Sequence, residues 1–269
     1  MNYPTISPYS YPRQTDTSNR QPPKFSGDGV IHMLRKLDHQ SMGGAEFDWL
    51  STVYHFSFAD YFDETKINFG VLRVLNDNLI SPHTVYKTTT TNNIETLTYV
   101  VEGELTYTDQ HGHNCVLKRG QMHYMSAASD VEQIRSNNTA QPTRVLEIGI
   151  SPQPHHRHQT HGDYHFDFEA RHNQWLHMVS DIHGDAPITI NQDVNIYTII
   201  LDEKNTATIN VPLGRQAYLM QIEGFSEANG VALKEQDALE IIEDEIHIEA
   251  THTSHFIVIE MPKSSHPYM

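Results

Sequence analysis

The chain is poor in cysteine, in long apolar runs and in basic residues, and each shortage excludes a class of protein. Cys115 is the single cysteine among 269 residues, which excludes an intrachain disulfide framework and fits a reducing compartment. No run of 18 consecutive apolar residues occurs, and the N-terminus lacks the apolar core of a signal peptide. We therefore expect a cytoplasmic protein without a membrane span or a secretory leader.

Basic residues are outnumbered almost two to one by acidic residues. Lys and Arg total 18 against 34 Asp and Glu, which gives a formal net charge of −16 at pH 7. The average field of such a chain repels the phosphate backbone of nucleic acids and favours a partner protein with a basic surface. We therefore expect no direct nucleic-acid binding.

Helical periodicity is also scarce, whereas period-two alternation rich in β-branched residues runs through most of the chain. Residues 95–101, 195–201 and 256–260 are short segments of this kind, and turn signals such as the run at 118–121 separate them. This pattern is typical of antiparallel sheets. With 269 residues, the chain can bury a sizeable core in one or two domains. The sequence therefore predicts an all-β fold.

The two halves of the chain repeat each other weakly. Residues 99–103 read Tyr-Val-Val-Glu-Gly, residues 220–224 read Met-Gln-Ile-Glu-Gly, and a turn led by Lys118 or Lys234 follows each. A duplicated small barrel is the simplest interpretation, because closure removes exposed sheet edges. The predicted organisation is a disordered or extended tail at 1–28, a first domain at 29–150, a His-rich linker at 151–174 and a second domain at 175–269.

The predicted tail is proline-rich and has little apolar surface. Five prolines stand there among Ser, Thr, Gln and Asn. Such a segment cannot offset its ordering entropy by burial, so we expect a disordered leader or an extended clamp along the surface. Recognition of a partner by its Tyr-Pro elements is the alternative.

Three segments carry recognisable motifs. Residues 54–63 read Tyr-His-Phe-Ser-Phe-Ala-Asp-Tyr-Phe-Asp, residues 69–77 read Phe-Gly-Val-Leu-Arg-Val-Leu-Asn-Asp, and residues 94–103 read Ile-Glu-Thr-Leu-Thr-Tyr-Val-Val-Glu-Gly. They resemble signature motifs of the pirin family, and the resemblance spans roughly residues 30–262. It implies a bicupin, in which two antiparallel jelly-roll β-barrel domains pack face to face.

The resemblance also implies a metal site in the first barrel, where the family has His-x-His and a later His-x-Glu. Counting back without a gap from residues 94–103 puts Thr89 and Thr91 at the first pair, and the run 125–135 puts Gln133 and Arg135 at the second. Strand residues i and i+2 share a face, so we expect all four side chains to line one cavity. Hydroxyl and amide groups are poor ligands and a guanidinium has no lone pair, so we predict no metal there.

The emptied cavity has two interpretations. Arg135 offers a planar fork that suits the carboxylate or phosphate of a small anionic molecule. Alternatively, Arg135 pairs with a nearby Asp or Glu and fills the place of the metal, because buried charges require partners.

Two sets of histidines could still bind a metal. His83 and His123 are weak candidates for a relocated site, although we expect both at the surface or the barrel rim. In addition, 8 of the 19 histidines fall within residues 155–183, which we interpret as an exposed, pH-responsive linker with weak metal capture as the alternative.

Three functions follow from this sequence. The first is a non-catalytic pirin-like cupin, without a cofactor, that binds a small anionic molecule or a protein partner. The alternative is an oxidoreductase similar to quercetin 2,3-dioxygenase, which the resemblance implies only with iron or another divalent metal at a relocated site. The third is a scaffold without any ligand.

Overall fold

Strands dominate the structure, as the period-two pattern predicts. The computed structural model describes residues 3–6, 33–91, 94–108, 114–126, 130–153 and 160–264. In these ranges the chain forms 23 strands and two 3-10 helices, His39–Ser41 and Phe168–Arg171. None of the helices in the described part of the chain is long and apolar enough to cross a membrane.

The first thirteen strands are β1 (Thr5–Ile6), β2 (Met33–Leu37), β3 (Gly43–Phe47), β4 (Leu50–Tyr54), β5 (Leu72–Ile80), β6 (Thr84–Thr90), β7 (Glu95–Glu102), β8 (Glu104–Thr108), β9 (Asn114–Lys118), β10 (Met122–Ser126), β11 (Val131–Asn137), β12 (Thr143–Ile150) and β13 (Thr160–Tyr164). The remaining ten are β14 (Leu176–Asp181), β15 (Ile188–Ile190), β16 (Asn195–Leu201), β17 (Thr206–Asn210), β18 (Arg215–Glu223), β19 (Phe225–Ala228), β20 (Val231–Lys234), β21 (Ala238–Ile242), β22 (Glu245–Ala250) and β23 (Ser254–Pro262).

Four sheets pair into two similar units. The first barrel combines the sheets β1-β6-β11-β8-β9 and β13-β10-β7-β12-β5-β4-β3, and the second combines β15-β14-β16-β23-β18-β21-β2 and β17-β22-β19-β20. The order β6-β11-β8-β9 matches β17-β22-β19-β20, and β10-β7-β12-β5 matches β21-β18-β23-β16, so the predicted duplication is confirmed. Each barrel is a jelly roll of two facing sheets, mostly antiparallel, rather than one closed sheet.

The two seven-stranded sheets pack against each other and form the largest apolar core. Leu97 and Ile148 of the first barrel lie in the same buried cluster as Met220, Ile257 and other residues of the second. Both faces of these sheets are covered, one by its own barrel and one by the other barrel. Strands β10 and β23 are therefore buried almost throughout, which hides the alternation that a half-exposed strand would show.

Three short strands fall in places that the sequence pattern does not specify. Strand β2 lies within the range predicted for the first domain, yet it pairs with β21 of the second barrel, and Arg35 binds Glu240 there through two hydrogen bonds of 2.8 and 2.7 Å. Strand β1 of the predicted tail is extended and pairs in parallel with β6. Strand β13 of the predicted linker extends the first barrel beside β10. The remainder of the tail lies outside the described residues.

Candidate functional site

A layer of polar side chains crosses the interior of the first barrel. Strand register aligns one residue from each neighbouring strand of the seven-stranded sheet, namely Asp163, His123, Thr98, Glu147 and Asn76. The facing sheet contributes an aligned row of Cys115, Tyr107, Arg135 and Tyr86. We call these nine residues the polar layer. Directly opposed residues of paired strands share a face, so each row points one way, toward the other row.

The centre of the polar layer is an ion pair between Arg135 and Glu147. The Arg135 guanidinium contacts the Glu147 carboxylate, and Glu147 Oε2 also accepts a hydrogen bond of 3.0 Å from Thr98 Oγ1. Arg135 is only 2% exposed, and its Cζ lies 4.9 Å from the ring centroid of Tyr107. Of the two interpretations of Arg135, the structure therefore has the paired one, in which a neighbouring carboxylate already compensates its charge.

The acid–base balance of this pair follows from burial and mutual attraction. Burial by itself lowers the pKa of Arg135, but Glu147 and the neighbouring tyrosines outweigh it and raise that pKa above its usual value. Burial raises the pKa of Glu147, while Arg135 and Thr98 oppose the rise. A buried guanidinium remains protonated, so Arg135 favours the ionised form of Glu147 against the effect of burial.

His123 is the second buried centre of the polar layer. Its Nδ1 donates to Asp163 Oδ1 at 2.7 Å and its Nε2 accepts from the side-chain amide of Gln133 at 3.1 Å. The ring stacks on Tyr107 with centroids 4.3 Å apart, and burial lowers the His123 pKa. The expectation that His123 lies at the surface or rim is wrong, because β10 belongs to a sheet that is covered on both faces.

The register of β6 shifts the predicted threonines by one residue. Thr88 lies opposite Gln133, and Tyr86 lies opposite Arg135, whereas Thr89 lies opposite the exposed Glu132. Thr88 therefore shares the face of Gln133 and Arg135, as does Thr90 two residues on, and Thr89 does not. The gap-free count to Thr89 and Thr91 assumed that no residue is inserted before β7, and a shift of one residue exchanges the faces of a strand.

A small cavity adjoins the ion pair. Its volume is about 50 Å³, enough for a few water-sized groups but far below the roughly 300–1,000 Å³ of ordinary ligand pockets. Three buried polar atoms of lining residues make no hydrogen bond to the described protein, namely Asn76 Oδ1, Thr88 Oγ1 and Arg135 Nε. Thr89 also borders this cavity, whereas Thr91 lies beyond the end of β6. The cavity thus suits a small polar guest.

The polar groups around this cavity do not fit the metal that the family resemblance implies. Thr88 and Thr90 offer neutral hydroxyls, Arg135 offers a cation without a lone pair, and the one carboxylate of the lining, Glu147, is already paired with Arg135. A divalent cation prefers imidazole or carboxylate ligands and is repelled by a guanidinium. His83 stands on an exposed turn with a φ of 54°, so it is not part of the polar layer that contains His123.

One cluster outside the first barrel has the side chains and spacing of a possible metal site. Within the described part of the chain, Asp38, His39 and Asp237 form the one group whose three ligand atoms lie within 4.8 Å of one another. Asp237 already accepts from Lys36 Nζ at 2.7 Å and from His39 Nδ1 at 2.8 Å. Both carboxylate oxygens of Asp237 are thus already engaged, Oδ2 by Lys36 and Oδ1 by His39, so the geometry favours a structural ion-pair network at the edge beside β2.

The predicted His-rich segment is spread over several elements. His161 lies on β13 and His177 on β14, while His172 Nε2 contacts Asp202 Oδ2 at 2.9 Å. His165 precedes the second 3-10 helix and His183 follows β14. The neighbouring His155, His156 and His158 lie outside the described residues. The described members are thus separated along the fold.

Sequence reasoning missed the acidic members of the polar layer. Glu147 stands within the apolar run Val-Leu-Glu-Ile-Gly-Ile of β12, and a carboxylate in a buried strand requires a partner. That signal could have identified Glu147 as the partner of Arg135. Asp163 carries no such signal, because its neighbours in the linker are polar.

Comparisons with known proteins agree with this architecture. The family model described as "Pirin" matches residues 35–150, and the model described as "Quercetinase C-terminal cupin domain" matches residues 177–261. A "Pirin-like protein" of Caulobacter vibrioides is 30% identical over 215 residues, which cover 80% of this chain and 93% of that protein. A "Quercetin 2,3-dioxygenase" of Escherichia coli strain K12 is 26% identical over 231 residues, covering 85% of this chain and 98% of that protein.

Solved structures show the same fold. YhhW from Escherichia coli superimposes with a TM-score of 0.78 at 24% identity, covering 86% of this chain and 99% of that chain. The complex of the bacterial pirin YhhW with nickel(II) gives a TM-score of 0.77 at 23% identity, covering 86% and 100%. The matched family models, the relatives and the duplicated jelly rolls lead to one conclusion: this chain belongs to the pirin family of bicupins.

Proposed function

We propose that this protein is a pirin-like cupin without the family's metal centre, with a non-catalytic role in binding a small molecule or a protein partner. The observation that carries the proposal is the buried pair of Arg135 and Glu147. Arg135 occupies one of the positions at which the family resemblance implies a metal ligand. The charge that a metal would supply at this place comes instead from a side chain.

The ion pair argues against a metal in the first barrel on electrostatic grounds. A divalent ion beside Arg135 would meet a fixed positive charge that cannot be deprotonated. If Arg135 moved away to admit the ion, Glu147 would lose its partner inside the barrel, and separating a buried pair costs several kcal/mol. The cavity of about 50 Å³ is also too small for a three-ring flavonol such as quercetin.

The first barrel retains features that suit a small polar ligand. Arg135 Nε, Thr88 Oγ1 and Asn76 Oδ1 lie beside the cavity without hydrogen bonds to the described protein. A carboxylate or carboxamide of a few atoms could accept from Arg135 and Thr88. The acidic surface, with a net charge of −16, additionally suits a basic partner surface.

The test of the missing metal combines metal content with activity. The protein is purified without a histidine tag, analysed for metals, and assayed for quercetin consumption with iron(II), nickel(II) or manganese(II) added. The Escherichia coli relative named quercetin 2,3-dioxygenase serves as the positive control. We expect far less than one metal per chain and no quercetin consumption above buffer. Stoichiometric metal together with turnover would reject the proposal and favour a relocated metal site.

A matched variant separates the barrel from the histidine segment. Replacing His155, His156 and His158 with Ser removes three histidines that lie close in sequence and changes no residue of the polar layer. Metal that disappears in this variant was bound by the segment. Metal that remains at one per chain was bound elsewhere, and it would contradict the proposal if Gln133→Ala or His123→Ala then removed it.

Restoring the family's ligands tests both the site and its register. One variant combines Thr88→His and Thr90→His with Gln133→His and Arg135→Glu, following the register of β6. The matched variant uses Thr89→His and Thr91→His with the same two changes. We expect nickel binding by the first set, because its four side chains share a face. Tighter binding by the second set would show that the sequence count, not the structural register, is correct.

The small-molecule role is tested by titration. Acetate and acetamide fit the cavity by size, and binding by either should raise the unfolding temperature of the wild-type protein. The combined variant Arg135→Met and Glu147→Met keeps the packing and removes the polar groups. We expect the rise to be lost in this variant. An equal rise in the unfolding temperature of both proteins would show that these molecules do not bind at the Arg135–Glu147 cavity.

A further inference from the structure

The second barrel has a cleft at the place that corresponds to the cavity of the first. The sequence repeat aligns Tyr99 of β7 with Met220 of β18. Followed across the strand registers, this alignment places Tyr197 of the second barrel at the position of Asn76 in the first. It likewise places Glu260 at the position of Gly149. Asn76 and Gly149 line the first cavity, and Tyr197 and Glu260 line the cleft. The duplication therefore places an opening at the same end of both barrels.

The cleft has the size of a ligand site. Its volume is about 480 Å³, within the roughly 300–1,000 Å³ typical of small-molecule pockets. The lining comes from β16, β17, β18, β23 and the segments beside them, and it includes Trp175, Tyr197, Ile209, Pro212, Arg215 and Glu260. The corresponding cavity of the first barrel is about 50 Å³, so of these two openings the second is the one with room for a molecule larger than a few heavy atoms.

Two aromatic side chains of the cleft are held in place. The ring of Tyr197 stacks on His177 with centroids 4.4 Å apart and an interplanar angle of 20°. The indole N–H of Trp175 donates to the backbone oxygen of Thr208 at 2.9 Å. His177 is itself held by Asn195 Oδ1 at 3.0 Å. Fixed aromatic walls bind a ligand with little loss of side-chain freedom.

The charges of the cleft favour a cation. Arg215 Nη1 contacts both carboxylate oxygens of Asp193 at 2.9 Å, and Arg215 Nη2 contacts Glu260 Oε2 at 2.8 Å. The guanidinium is thus occupied by two carboxylates and is not free to anchor an anion. Asp193 is not a lining residue and lies beside the cleft on Arg215, so two negative charges face one positive charge in and next to the site. Aromatic faces beside excess negative charge attract organic cations.

We propose that the cleft of the second barrel binds an organic cation, an ammonium or guanidinium compound with an apolar or aromatic body. The apolar body would lie against Trp175, Ile209 and Pro212. The positive charge would lie near Tyr197 and the carboxylates of Glu260 and Asp193. This site is separate from the first barrel, so it does not depend on whether that barrel binds a metal.

The two tryptophans allow each barrel to be observed separately. Trp49 belongs to the first barrel and Trp175 to the cleft. In a Trp49→Phe protein, titration with benzyltrimethylammonium should give a saturable change in Trp175 fluorescence. Phenylacetate, an anion with the same ring, should bind at least about tenfold more weakly. The matched Trp175→Phe protein should show no saturable change from Trp49.

Two substitutions then test the named groups. Tyr197→Leu should weaken benzyltrimethylammonium binding about tenfold by removing the aromatic face. Asp193→Asn changes a side chain that is 39% exposed, and it should weaken benzyltrimethylammonium binding several-fold without weakening phenylacetate binding. The proposal is overturned if no titration saturates, if phenylacetate binds as well as the cation, or if neither substitution changes the affinity of a protein whose circular dichroism is unaltered.

Discussion

The two barrels share strand order and register but differ in what fills them. The first has a polar layer with a buried ion pair, whereas the interior of the second is an apolar cluster that includes Leu219, Ile241, Phe256 and Val258. By register Val258 stands where the first barrel has Glu147. The fold itself therefore does not require a charge at this place. The polar layer is a property of the first barrel alone, and it costs desolvation that only paired charges can offset.

The largest expected effect comes from placing the first barrel's charge in the second. Val258→Glu would bury a carboxylate among apolar side chains without an arginine opposite it. We expect a loss of more than about 4 kcal/mol in the free energy of unfolding at pH 7, or failure to fold. Val258→Thr is the matched control of similar volume and should cost about 1–3 kcal/mol. Urea unfolding measures both, and equal losses would show that the charge is not what the second barrel excludes.

Breaking the ion pair of the first barrel should have the next largest effect. Arg135→Ala leaves Glu147 buried without its partner, and we expect a loss of about 3–5 kcal/mol in the free energy of unfolding. The double variant Arg135→Met and Glu147→Met removes both charges and should lose far less, because apolar replacement of a buried pair is often nearly neutral. If the double variant is as unstable as Arg135→Ala, the polar layer is stabilising in its own right and the comparison of the barrels must be revised.

The interface between the barrels should make stability depend on pH. A hydrogen bond of 2.9 Å joins His55 Nδ1 of the first barrel to Tyr218 Oη of the second. Burial lowers the pKa of His55 to about 4. In the unfolded chain His55 is protonated below about pH 6.5, whereas in the folded chain it is protonated only near pH 4. Stability should therefore fall as the pH drops from 6.5 toward 4, by about 1.4 kcal/mol per pH unit for this histidine.

The matched variant for this pH dependence is His55→Gln, which keeps a polar group at the interface. Burial also lowers the pKa of His255, on the other side of the interface, so part of the slope should remain. Urea unfolding from pH 7.5 to 4.5 measures the slope for both proteins. Identical slopes would exclude His55 as a source of the dependence.

The smallest expected effect is on the outer face of the first barrel. Lys87 Nζ and Glu132 Oε2 lie 3.3 Å apart, and their side chains are 37% and 68% exposed. Glu132→Ala should therefore change the free energy of unfolding by no more than about 0.5 kcal/mol, since exposed pairs are weak and screened by salt. Comparing Glu132→Ala with Arg135→Ala shows how much of the loss in the free energy of unfolding depends on burial of the ion pair. A loss above about 2 kcal/mol would contradict the assigned faces of β11.

The fold was predictable because period-two alternation and family motifs extend over most of the chain. Gln133 and Arg135 are both buried in the first barrel, since their spacing of two fixes a common face, but Gln133 does not line the cavity beside Arg135. The partner threonines were misplaced, since a shift of one residue exchanges faces. The pairing of β2 with β21 joins residues about 200 positions apart, and no local pattern specifies such a contact.

The proposal that an ion pair stands in place of a metal is tested most directly by a crystal of the untagged protein grown with nickel(II). Diffraction data collected above the nickel absorption edge would locate any bound ion by its anomalous signal. We predict no anomalous peak inside the first barrel and continuous density between Arg135 and Glu147. A peak coordinated by Gln133, His123 or the threonines of β6, with Arg135 turned away from Glu147, would contradict the proposal.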